Sequence, residues 1–156
     1  KDLINSATLQ IKKDNSTLKI KCPPISPELI KDKINIEIQI PNINKVEVNK
    51  YHTVYLNNLN LDDLEIQISG NSSLIGNGNV IHNLKLNCFG AAEADLKNSK
   101  VTNLEIQAFG SNDISITMTG GKIEGSITGS GELNYYGNVK KVDVTTIGSA
   151  SVQKAE

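Results

Sequence analysis

Apolar and polar residues alternate with a period of two along most of this chain, and the alternating segments recur about every twenty residues. Gly70, Gly90, Gly110, Gly129 and Gly148 mark the recurrence at spacings of 20, 20, 19 and 19, and Lys50 stands one period earlier. Six residues before each glycine lie Leu64, Leu84, Leu104, Ile123 and Val142. Four before lie Ile66, Leu86, Ile106, Gly125 and Val144, and two before lie Ile68, Cys88, Ala108, Ile127 and Thr146. Glu65, Lys85, Glu105, Glu124 and Asp143 fill one intervening position; Gln67, Asn87, Gln107, Ser126 and Thr145 fill the other. Such alternation predicts strands with one face buried and one face wet.

A second strand follows each glycine, carrying Val54, Leu74, Ala94, Ile114, Leu133 and Val152, then Leu56, Gly76, Leu96, Ile116 and Tyr135. A third apolar column holds Leu61, Ile81, Val101 and Val139, with Gly120 breaking it. Three short strands per period, joined by turns, close one triangular coil. The i, i+3, i+4 spacing of helical repeats is absent. An antiparallel sandwich or barrel is the rival, but like residues at fixed positions in successive periods favour coils stacked in register. The expectation is an all-β, right-handed parallel β-helix forming a single domain, 1–156. Residues 45–156 supply six regular coils, a rod roughly 29 Å long at about 4.8 Å per coil.

Residues 1–44 read differently. Leu9 with Ile11, Leu18 with Ile20, and Ile34, Ile36, Ile38 and Ile40 predict three strands, with a proline-bearing bend from Cys22 to Pro27 and a stop at Pro41. This segment is expected to form irregular first coils that cap the stack, because a terminal coil exposes unpaired backbone.

The stretch Ile34–Leu56, with Pro41-Asn42-Ile43 and Val46-Glu47-Val48, resembles the putative auto-transporter adhesin, head GIN domain family. So do the repeated Leu-x-Ile-x-x-x-Gly units and the run from Gly129 to Asn138, followed by Val144 to Ser149. The likeness covers roughly residues 7–153. It implies an exported bacterial parallel β-helix of uncharacterised function, located in the periplasm, at the outer membrane or outside the cell. Lys50 departs from the family, which usually has glycine there, and the family's opening strands are shortened here.

Charge narrows the partners. The net charge is −1, and all 16 basic residues are lysines. Without arginine the chain lacks the planar fork that grips phosphates and guanine edges, and its field is weak, so nucleic acid is not an expected partner. No apolar run reaches the roughly 18 residues of a membrane span. The chain opens on Lys1 and not Met, which reads as a processed or excised piece whose export signal is gone.

Candidate chemistry is sparse. His82 and Cys88 have nucleophile-pair character, but Cys88 sits in an inward column and reads as a small core residue. With His52 in another turn, no zinc-ligand spacing emerges. A Cys22–Cys88 disulfide is left open. Asp62-Asp63 and Glu93 with Asp95 read as solvated turn residues, and Gly76-Asn77-Gly78-Asn79 completes no nucleotide or calcium motif. Phe89 and Phe109, one period apart, should stack. No catalytic residue, cofactor or metal ligand is assigned.

The residues singled out for binding are therefore the outward columns Glu65, Lys85 and Glu105 with Gln67, Asn87 and Gln107. The first function they suggest is a non-catalytic adhesin-like module that meets a glycan or a protein surface. A second is an assembly module whose coil ends stack into a homo-oligomer. A third is a small carbohydrate-active enzyme using Glu93, Asp95 and Asp62.

Overall fold

The structure is a computed structural model that describes residues 10–14, 16–21, 37–40 and 42–156. The chain falls into two units, Lys1–Gln39 and Ile40–Glu156. In the first, β1 (Gln10–Asp14) and β2 (Thr17–Lys21) pair antiparallel, Gln10 opposite Lys21 and Asp14 opposite Thr17. Leu9, the Cys22–Pro27 bend, Ile34, Ile36 and Pro41 lie outside the described residues. The predicted third strand is corrected in its described part: Glu37–Ile40 is not a strand, and Ile38 and Ile40 are exposed. Alternation alone does not hold a strand; it needs a paired backbone and a buried face.

The second unit is a parallel β-solenoid of about six turns. One side of the coil is built by β3 (Lys45–Lys50) and the latter parts of β5 (Asn60–Gly70), β6 (Ser73–Gly90) and β7 (Glu93–Gly110), then β9 (Lys122–Gly129) and β11 (Lys141–Gly148). The next side is built by β4 (Thr53–Asn57), the first parts of β6 and β7, then β8 (Asp113–Thr119), β10 (Glu132–Asn138) and β12 (Ser151–Lys154). Every pairing in this unit is parallel, with Leu64 opposite Leu84, Leu84 opposite Leu104, Leu104 opposite Ile123 and Ile123 opposite Val142. Three separate strands per coil is too many for the middle of the stack. There β6 and β7 each run 18 residues through the corner near Val80 and Lys100.

The inward columns merge into one aliphatic core in which Ile66, Ile68, Leu74, Leu86, Ile106, Ile114 and Ile116 are wholly buried. Burying such side chains, at about 1.5–3 kcal/mol each, is the main force holding the coils together. The glycine column fixes the corner after each first-side strand. Gly70, Gly90, Gly110, Gly129 and Gly148 all have positive φ, and a Cβ at Gly110 would stand 2.3 Å from the Gly90 carbonyl oxygen. That oxygen instead accepts the N–H of Ser111 at 2.9 Å, and the bond recurs at every coil. Lys50 opens the column with φ 74°, the same backbone shape without glycine.

The 20-residue period shortens at one place. Leu96 pairs with Ile116, but Val101 pairs with Met118, and register returns at Leu104 opposite Ile123. Gly120 does not leave the column broken, because Met118 fills the slot from two residues earlier and is buried. A long, unbranched side chain suits that irregular gap.

Two buried asparagines serve the backbone at corners. Asn79 accepts from Leu59 N–H at 3.0 Å and donates to Leu56 carbonyl at 2.8 Å and Ser99 Oγ at 3.0 Å. Asn112 accepts from Ala92 N–H at 3.3 Å, and its Nδ2 has no partner among the described residues.

Candidate functional site

The first-side strands carry four outward columns, headed by Asp63, Glu65, Gln67 and Ser69, and the face bends at the Asp62–Asp63 corner. At that bend a shallow groove of about 490 Å³ crosses successive coils. Leu64, Leu84 and Leu104 form its floor. One wall is Asp63, Asn83, Asn103 and Lys122; the other is Glu65, Lys85, Glu105 and Glu124.

In-register stacking makes the first wall a hydrogen-bonded ladder. Asn83 Nδ2 donates to Asp63 Oδ1 at 2.9 Å, Asn103 Nδ2 donates to Asn83 Oδ1 at 3.0 Å, and Lys122 N–H donates to Asn103 Oδ1 at 3.3 Å. Each amide therefore has its orientation set by the coil beside it.

The second wall is a ladder of ion pairs. Lys45 bridges Glu47 at 2.9 Å and Glu65 at 3.1 Å, and Lys85 meets Glu105 at 2.9 Å. Glu105 then faces Glu124 in register, which would repel. Lys122, two residues before Glu124 on the same side of β9, relieves this with contacts of 2.7 and 2.8 Å to both carboxylate oxygens. Lys141 repeats the device on Asp143 at 2.6 Å. The hydrogen bonds to Glu47 and then Glu65 raise the Lys45 ammonium above its ordinary pKa, and that to Glu105 raises Lys85.

Beyond these walls lie the amides Gln67, Asn87 and Gln107. Gln107 is exposed and Gln67 half-buried, but Asn87 is only 8 % exposed between them. The six candidate residues thus divide: Glu65, Lys85 and Glu105 line the groove, while the three amides stand beside it. Sequence reasoning took Asp63 for a solvated turn residue and passed over Asn83 and Asn103. Their signal was present as a polar column next to the Leu64 column, but the corner turned it toward the groove. Phe89 and Phe109 stack with centroids 5.9 Å apart and planes at 4°, bordering the amides.

The remaining chemistry is dispersed. Cys88 is a free, wholly buried thiol whose pKa burial pushes up to about 12, so it is not an ionised nucleophile at neutral pH. His82 is exposed. Cys22, the other half of the contemplated disulfide, lies outside the described residues. Glu93 accepts from Ser73 Oγ at 2.8 Å, and Asp95 accepts from Lys97 N–H at 3.1 Å, both on the second side of the coil. Asp62 is exposed at the corner. Among the described residues no three His, Cys, Asp or Glu side chains come together as a metal site, and no helix is long and apolar enough to cross a membrane.

A family model described as "Putative auto-transporter adhesin, head GIN domain" matches residues 3–139 and again 79–155. The two matches overlap, as expected when one stretch of coils satisfies a repeating pattern in two registers. No curated protein and no solved structure matches the chain.

Proposed function

Since the chain belongs to the putative auto-transporter adhesin, head GIN domain family, we propose that it is a non-catalytic adhesive head, working at a cell surface or outside the cell, that holds an extended glycan along its axial groove. The observation that carries this is the pair of walls: the Asn83 and Asn103 amides, stacked on successive coils from Asp63, beside a carboxylate–ammonium ladder at the same spacing. A rigid row of donors and acceptors at one spacing suits a ligand that itself repeats. Rigidity matters because side chains already ordered in the free protein lose little entropy on binding. The neighbouring amides Gln67 and Gln107 extend the polar surface over which a longer chain would lie.

The test is binding of the purified protein to a glycan array and to cells, beside an Asn83→Ala/Asn103→Ala/Glu105→Ala variant. Binding that the variant loses supports this reading; arrays and cells that stay blank for the unaltered protein reject it. A second reading, assembly through coil ends, has its support in the last described coil, where Val142, in the inward Leu64 column, is 41 % exposed. Light scattering that shows a strict monomer at high concentration rejects that one.

A further inference from the structure

Lys45, at the edge of the groove, is held by Glu47 at 2.9 Å and Glu65 at 3.1 Å. The two lysines that line the groove among the described residues, Lys85 and Lys122, are both held by carboxylates, Lys85 at 2.9 Å from Glu105 and Lys122 at 2.7 and 2.8 Å from Glu124. The lining as a whole has four acids, Asp63, Glu65, Glu105 and Glu124, against these two lysines. The chain has no arginine to bind a carboxylate or sulfate through two parallel bonds. An anionic sugar entering here would have to break an ion pair and then sit beside surplus negative charge.

Hydroxyl groups meet a different surface. An asparagine amide has two N–H donors, and the ladder uses one from Asn83 and one from Asn103. The remaining donors recur at the coil spacing, about 4.8 Å, opposite carboxylate oxygens able to accept. A hydroxyl can answer both walls, because it donates and accepts. The coil spacing is also close to the advance of one sugar along an extended β-1,4-linked chain, whose successive sugars are turned over, so that like hydroxyls return at every second coil.

Resting on the glycan reading given above, we propose that the groove selects its ligand by charge: it takes an uncharged or amine-bearing β-linked sugar chain and rejects an anionic one. The amine-bearing chain gains from the acidic surplus, and the uronate chain is repelled by it.

The experiment is calorimetric titration of the full chain, at low salt and mildly acid pH, with three soluble β-1,4-linked hexamers of one backbone shape: cellohexaose, glucosamine hexamer and glucuronate hexamer. The neutral hexamer is expected to bind, and the cationic one to bind at least about tenfold more tightly than the anionic one, a gap of roughly one charge contact. Added salt should narrow that gap. Glucuronate hexamer binding as tightly as cellohexaose overturns the charge rule while leaving a glycan groove in place. Silence from all three overturns this proposal, and the array separately judges the broader adhesive reading. A Glu105→Lys/Glu124→Lys variant should reverse the ranking; an unchanged ranking with an unchanged circular dichroism spectrum also overturns the proposal. If that variant does not fold, the ranking and its salt dependence in the unaltered protein decide.

Discussion

Gly110 lies over Gly90 so closely that a single methyl group on it would come within 2.3 Å of the Gly90 carbonyl oxygen. The same oxygen accepts a backbone hydrogen bond from Ser111, so it cannot simply move aside. Gly110→Ala adds this clash to the penalty of a side chain at positive φ and should cost at least about 2 kcal/mol. Urea unfolding followed by circular dichroism would read it. Lys50 has the same backbone shape at the first position of the column, so Lys50→Gly should relieve strain and raise stability by about 1 kcal/mol in the same assay.

Met118 occupies the interior slot opposite Val101, where the coil loses a residue. Met118→Ala should cost about 2–5 kcal/mol, the usual range for a buried truncation that leaves a cavity. Met118→Leu should recover most of that loss, since volume-conserving exchanges are tolerated. Equal stability of all three proteins in urea would show that the slot is filled by something else.

The two corner asparagines should respond unequally. Asn79→Ala removes three hydrogen bonds and leaves the buried Leu56 carbonyl and the half-buried Leu59 N–H without that partner, at a cost of roughly 1–3 kcal/mol for a buried group left unsatisfied. Asn112→Ala removes one long bond and also an amide group that had no partner, so its cost should be clearly smaller. Thermal melts of the two variants check the order.

Burial holds the Cys88 proton in the folded protein until about pH 12, against an ordinary value of 9.0 that applies once the chain unfolds. Below that ordinary value both states are protonated and the thiol gives no pH dependence. As pH rises from about 9 toward 12 the unfolded state releases its proton first, so folded stability should fall across that window. A Cys88→Ala variant, matching Ala108 in the same column, should lack this part of the decline. Comparing the two proteins in urea at successive pH values isolates the thiol's part of the decline. The native thiol should also resist alkylation at neutral pH until denaturant is added.

The stacking of coils was legible because each inward column repeats aliphatic residues at one spacing, and a strand has only two faces on which to place them. Leu64, Leu84 and Leu104 could be set in contact from the sequence alone. The bend at Asp62–Asp63 could not. Where two outward residues adjoin, period two is lost, and the pattern does not say which wall of a corner each will join. That is why Asp63 read as a solvated turn residue, and Asn83 and Asn103 went unrecognised, beside Glu65, Lys85 and Glu105. Met118 was hidden for a related reason: counting back from Gly129 assumes that the missing residue falls elsewhere in the coil. The segment Ile34–Ile40 misled in the opposite direction, showing alternation in residues that, where described, pair with no strand.

The skipped residue near Met118 also bears on how such a protein can change over time. Leu96 keeps Ile116 as its neighbour and Leu104 keeps Ile123, although the chain between them is shorter in the second coil. Length can therefore be lost, and by the same logic gained, at that bend without rewiring contacts on either side of it. An inserted peptide there would be carried as an outward loop at a fixed height on the stack, which makes this bend the natural place for grafting a foreign epitope.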